Sequence, residues 1–215
     1  MRTETTHVRA ESALATAALV SVLASPAAGA ESGAVDKLIA ELQSSDDKVR
    51  GASWQGAGPL GAWAVPPLAA LMVHSDFEVA RSAKRALWKI VRHAGRPDAA
   101  TERKAVQTEL LALLNDRAVF VRREALWMLS EIGDDDTVEA IARLLREAEV
   151  REDARCALER IPGAKAIRAL QRASQTAPEN FRPALANSLR TRGRKIRDYP
   201  SQKLQPTRRT AVQPR

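Results

Sequence analysis

One phrase returns five times along this chain, and it dictates a stack of helices. In its fullest copy it reads Val121, Arg122, Ala125, Leu129, Ile132 and Gly133. With Arg122 as position zero, the apolar residues stand at −1, +3, +7 and +10. The same frame fits Val49/Arg50 (Ser53, Ala57, Leu60, Gly61) and Val79/Ala80 (Ala83, Leu87, Ile90). It fits again at Val150/Arg151 (Ala154, Leu158, Ile161) and at Phe181/Arg182 (Leu185, Leu189, Gly193). The zero positions 50, 80, 122, 151 and 182 lie 30, 42, 29 and 31 residues apart. A helical unit of this size cannot bury its own apolar face, so units must stack. The pattern therefore predicts an all-α fold, an α-solenoid (α/α superhelix) of about five helical hairpins.

The first helix of each hairpin is legible too. Val35, Leu38, Ile39 and Leu42 open the series, followed by Val65, Leu68, Leu71 and Met72. Then come Val106, Leu110, Leu113 and Leu114, then Val138, Ile141, Leu144 and Leu145, and finally Ile167 and Leu170. Spacings of three and four residues put these side chains on one side of a helix. The turns Ser44-Ser45-Asp46-Asp47, His74-Ser75-Asp76 and Asn115-Asp116 supply side-chain oxygens for the free amides of the second helices. Pro66 and Pro67 fit a first turn, where a missing N–H costs little. Gly61, Gly133 and Gly163 follow helix ends, where a left-handed cap is expected.

The helix-pair period, the phrase Ala-Val-Pro-Pro-Leu at 64–68 and the Val-Arg-x-x-Ala copies together resemble HEAT repeats, in particular the short PBS-lyase HEAT-like variety. The resemblance spans residues 34–193. Two departures are visible. Gly51, Gly56, Gly58 and Pro59 should kink or shorten the second helix of the first unit. The 42-residue step between units two and three holds about 12 extra residues against the common period. Its segment Arg92-His93-Ala94-Gly95-Arg96-Pro97-Asp98 is expected to form a loop.

Three regions follow. Residues 1–30 read as a secretory signal peptide: Arg2 and Arg9, an apolar run from Ala13 to Ala24, then Ala28-Gly29-Ala30 as a cleavage site. That implies export, to the periplasm or beyond the cell; without cleavage the same stretch is an Ala-rich leader on a cytoplasmic protein. Residues 31–193 form the solenoid. Residues 194–215 form a basic tail expected to be disordered. The chain carries 34 basic and 26 acidic residues, two of each before residue 31. Residues 190–215 hold nine basic residues against Asp198, which leaves 23 of each sign over 31–189. The solenoid is neutral and the excess of +8 belongs to the tail. Arg192, Arg194, Lys195, Arg197, Arg208 and Arg209 are therefore expected to meet an anionic envelope surface, or else to act only as solvated charge.

On the second helices, positions +1, +5 and +8 fall about 150° to 170° from the apolar centre when each residue turns about 100°. They are Arg81, Arg85 and Trp88 in unit two and Arg123 and Trp127 in unit three. The resemblance implies a concave face lined by second helices, so these five side chains are the candidate partner-binding set. Trp and Arg are the types most enriched at binding hot spots. The competing reading packs Trp88 and Trp127 against neighbouring units. Trp54 and Trp63 read as structural.

No catalytic, cofactor or metal constellation is apparent. His7, His74 and His93 are scattered, and Cys156 is a lone thiol. HEAT-repeat deoxyhypusine hydroxylases hold iron with His-Glu pairs, and no His here precedes Glu. No residue set identifies the chromophore site of HEAT-like bilin lyases. Asp134-Asp135-Asp136 lacks the spaced ligands of a calcium loop and reads as a polar turn. The reading is a monomeric, non-catalytic scaffold for an unidentified protein partner. The alternatives are a nucleic-acid binder, since HEAT-like DNA glycosylases pair basic concave helices with Trp, and last a lyase-type enzyme. A neutral solenoid argues against nucleic acid.

Overall fold

A computed structural model describes residues 26–200. Among them there are ten α-helices and no strand. They pair in chain order into five hairpins: α1 (Pro26–Leu42) with α2 (Asp47–Gly56), α3 (Val65–Leu71) with α4 (Phe77–Ala94), and α5 (Ala100–Leu113) with α6 (Val119–Ile132). Next come α7 (Val138–Arg143) with α8 (Arg151–Arg160), and α9 (Ala164–Thr176) with α10 (Arg182–Thr191). The second helices make an unbroken row, with α2 on α4, α4 on α6, α6 on α8 and α8 on α10. One apolar core runs the length of the stack, from Val35 to Leu189. This is the predicted all-α solenoid.

The recurring frame is the core. Val79, Ala83, Leu87 and Ile90 are buried, as are Val121, Ala125, Leu129 and Ile132, and Val150, Ala154, Leu158 and Ile161. Burying a Leu or Ile side chain contributes about 1.5–3 kcal/mol, so the frame carries much of the stabilisation of these hairpins. In the first unit Val49 is exposed, and Ser53 and Leu60 are only partly buried. The Arg at position zero has its own task. Arg50, Arg122 and Arg182 each reach back to a carbonyl of the preceding turn, those of Ser44, Asp116 and Ala177. Each thereby ties the second helix to its own turn.

The caps follow the polar turns. Asp46 accepts from the Lys48 amide, Asp76 from the Glu78 and Val79 amides, and Asp116 from the Ala118 amide. Gly61 (φ 60°, ψ −149°) and Gly163 (φ 97°, ψ 166°) have the positive φ that favours glycine, but their extended ψ is not that of the expected left-handed cap. Gly61 bends the segment before α3, and Gly163 leads into α9. Gly133 lacks the positive φ: its backbone is extended, at φ −67° and ψ 156°. Its requirement is space. A Cβ there would stand 2.4 Å from the Leu129 carbonyl and 2.9 Å from Ile161 Cδ1.

The first unit is short, as its glycines predicted. α2 stops at Gly56 and a 3₁₀ segment, Gly58–Ala64, completes the unit. This segment alters the expected loop of unit two. Arg92, His93 and Ala94 are not loop but the last turn of α4, because Val91 and Ala94 bury fully and His93 packs on Gly58. The loop is confined to residues 95–99. Trp63, read as structural, is 63 % exposed, because the 3₁₀ segment turns its indole outward.

The expected signal peptide lies outside the described residues except for its end: Pro26–Ala30 are the first residues of α1. Within the stretch expected to be disordered, residues 194–199 run back along the last unit. Ile196 packs on the core and the Tyr199 hydroxyl donates to Glu179 across 2.7 Å. Arg208 and Arg209 lie outside the described residues.

Candidate functional site

α4 is the longest second helix, and its outer face borders a groove of about 740 Å³. The floor is aromatic: Trp54 from α2, Phe77 and Trp88 from α4, and Phe120 from α6. Phe77 is 70 % exposed and Phe120 44 % exposed, in a place where water gains nothing from them. Five cations of α4 surround the floor: Arg81, Lys84, Arg85, Lys89 and Arg92. All five lie against the rings, with Arg81 5.7 Å from the centre of Phe77. Arg85 and Lys89 stand 5.3 and 5.7 Å from the centre of Trp54, Arg92 5.6 Å from Trp88, and Lys84 5.5 Å from Phe120. In each case the charged head itself, guanidinium or ammonium, lies over the ring face.

Two of the five cations are already matched. Arg81 pairs with Glu78 on its own helix. Lys84 donates to Glu124 of α6 across 2.6 Å, and the same carboxylate accepts the Trp88 indole N–H at 3.2 Å. Arg85, Lys89 and Arg92 have no carboxylate partner among the described residues.

Of the sequence-derived set, the fold brings together Arg81, Arg85 and Trp88. It leaves Arg123 and Trp127 one repeat further on and outside the groove. There the Trp127 indole donates to Asp153 of α8 across 2.9 Å, while Arg123 lies 3.2 Å from the same carboxylate and donates to the Glu149 carbonyl. Both Trp residues thus bond to the neighbouring unit through their N–H. Trp88 is half-buried, and Trp127 keeps 36 % of its surface open.

Sequence reasoning missed Phe77, Phe120, Lys84 and Lys89, and set Trp54 aside as structural. A signal was present for the two Phe residues. They stand at −3 and −2 of the frame, large apolar side chains off the core register.

The other candidates resolve differently. Arg192 donates to the carbonyls of Leu158, Glu159, Ile161 and Gly163, and so caps the end of α8. Arg194, Lys195 and Arg197 are exposed and have no carboxylate partner among the described residues. Asp134 and Asp136 bind Lys104, and Asp134 also accepts from Gln107. Cys156 is half-buried and contacts Arg155; burial pushes its thiol above the ordinary range.

The family model described as PBS lyase HEAT-like repeat matches residues 121–147, which cover α6 and the first helix of the next unit. No curated protein matches the chain in sequence. Among solved structures, an engineered protein from a structural-genomics consortium is similar at 23 % identity, over 73 % of this chain and 78 % of that one, with a TM-score of 0.40. A designed armadillo repeat protein in complex with the peptide (KR)4 is similar at 19 % identity, over 75 % and 83 %, with a TM-score of 0.41.

Proposed function

We propose that this α-solenoid, one of whose units matches the PBS lyase HEAT-like repeat, is a non-catalytic scaffold that docks a protein partner in the groove between α2, α4 and α6. Folds of this kind serve typically as extended binding surfaces, with function written in the surface side chains. The observation that carries the reading is the exposed aromatic floor under a cationic rim. Contiguous apolar surface framed by polar groups marks a site of association, and Trp and Arg dominate such sites energetically.

The test is a photo-activated cross-linker placed at Phe77, compared with one at Arg172 on the opposite row of helices, in the native cell. A defined protein adduct from position 77 alone is the expected result. Equal adducts from both positions, or none from 77, would discard the docking face.

In the same reading the scaffold works outside the cytoplasm, with its tail held on anionic lipid or envelope polymer. The leader's basic start, apolar run and Ala-x-Ala site support export. Arg194, Lys195, Arg197 and the basic residues beyond support electrostatic attachment. Protein recovered from its cell should begin at Glu31, and such a chain keeps the core residues Val35, Leu38 and Leu42 of α1. An intact Met1 rejects export. Deletion from Arg194 should abolish salt-sensitive attachment to vesicles containing phosphatidylglycerol; unchanged attachment removes the anchor.

A further inference from the structure

We infer that the occupant of the groove is a short, extended, acidic peptide segment that carries a large apolar side chain. This deepens the docking reading above and rests on it. Three cations, Arg85, Lys89 and Arg92, have no carboxylate partner among the described residues, and all three sit over the rings of Trp54 or Trp88. The groove therefore asks for two things at once: carboxylates at the rim and an apolar group on the floor. A neutral apolar ligand would leave the three charges unanswered. A purely acidic one would leave Phe77 and Phe120 in water.

The spacing sets the length. Residues 85, 89 and 92 form one stripe of α4, about 10 Å from end to end at about 1.5 Å per residue. An extended chain covers that distance in about three residues, with alternate side chains on opposite faces. Carboxylates on one face and an apolar residue on the other match the rim and the floor.

A long polyanion fits less well. Beyond α4 most cations of the second-helix row are paired: Arg123 with Asp153, Arg122 with Glu149, Arg155 with Glu152 and Glu159, and Arg160 with Glu131. Arg151 lies over the Phe181 ring and Arg190 on the Tyr199 carbonyl, far apart from each other. A nucleic-acid backbone needs cations along its whole track to release counterions. Here three unmatched cations cluster only on α4, while residues 31–189 as a whole are neutral.

The experiment pans a phage-displayed random dodecapeptide library on the full-length protein, then titrates the enriched sequences as free peptides. The expected result is enrichment of acidic sequences with an aromatic residue or Leu. Their binding should weaken about tenfold in Arg85→Glu/Lys89→Glu and by a similar factor in Phe77→Ser. Phe77 and Arg85 are exposed and Lys89 is partly so, and circular dichroism with thermal melting verifies that each variant remains folded. Neutral or basic sequences that depend on Phe77 would overturn the acidic peptide and leave the docking face standing. Binding insensitive to both variants would overturn the docking face as well. Tighter binding of a single-stranded DNA 12-mer, lost in Arg85→Glu/Lys89→Glu, would replace the peptide with nucleic acid.

Discussion

Trp88 on α4 donates its indole N–H to Glu124 on α6 across 3.2 Å. The next Trp repeats the arrangement, with Trp127 of α6 donating to Asp153 of α8. Glu124 and Asp153 occupy the same place, +2 of the recurring frame, and each also holds a cation of the preceding helix, Lys84 or Arg123. Successive hairpins are thus joined by a polar contact outside the apolar core. A non-directional core fixes the distance between helices; a hydrogen bond also fixes their rotation.

Removing the Glu124 carboxylate should be costly, because it is buried and leaves the Trp88 N–H without its partner. Glu124→Ala is expected to destabilise by about 1–3 kcal/mol, and a double-mutant cycle with Trp88→Phe should give a coupling of about 0.5–1.5 kcal/mol. Asp153→Ala should cost less, since Trp127 is partly open to water. Chemical denaturation of the variants measures all three. A coupling near zero would make the Trp88 bond incidental.

Two glycines should respond to alanine with opposite sign. Gly51 lies inside α2 with nothing within 4 Å of an added Cβ, so Gly51→Ala should stabilise by about 0.5–1 kcal/mol through helix propensity. At Gly133 the added methyl meets the Leu129 carbonyl and Ile161, so Gly133→Ala should cost at least about 1–3 kcal/mol. Melting temperatures of the pair decide it, and tolerance at 133 would contradict the close packing.

Arg192 and Arg194 are two residues apart and should behave as different kinds of residue. Arg192→Ala strips four carbonyl oxygens of a charged donor and is expected to lower stability by about 1.5–3 kcal/mol. Arg194→Ala should leave the melting temperature unchanged and weaken only attachment to anionic vesicles. Equal loss of stability at both positions would tie the tail to the fold.

Acid should loosen the solenoid through specific carboxylates. Burial raises the Asp134 pKa, but hydrogen bonds from Lys104, Gln107 and the Asp136 amide outweigh it and hold the group below its ordinary 3.8. The amides of Glu78 and Val79 hold Asp76 below the same value. A carboxyl depressed in the folded state contributes stability that is present above its unfolded value and lost as pH falls through the folded one. Melting temperature should therefore drop below about pH 4, and less steeply in Asp134→Asn and Asp76→Asn. An identical acid limb in both variants would assign the loss to other groups.

Much of the fold is legible in the order of residues, for a definite reason. Core positions of stacked hairpins must recur with the helical turn inside a unit and with the unit length along the chain. Val121, Ala125, Leu129 and Ile132 show both periods, and so do their counterparts in the second, fourth and fifth units; in the first, Val49 keeps the spacing but is exposed. Half of the groove is legible by the same logic, since Arg81, Arg85 and Trp88 lie opposite the core. The last turn of α4 is not, because its helicity depends on the cover it gives to Gly58, a residue of another unit.

Sequence by itself determined the repeat, the hairpins, the buried register and a neutral body with a basic end, because these depend on local periodicity and on sums over the chain. Tertiary structure alone decided which charges stay unmatched. Glu124 and Asp153 stand 36 and 26 residues from the indoles they bind, and only stacking brings them there. Ion pairs compensate most cations of the later second helices in the same way and leave Arg85, Lys89 and Arg92 of α4 over the rings of Trp54 and Trp88. Coulomb attraction falls with distance in space, and separation along the sequence does not report that distance until the units are stacked.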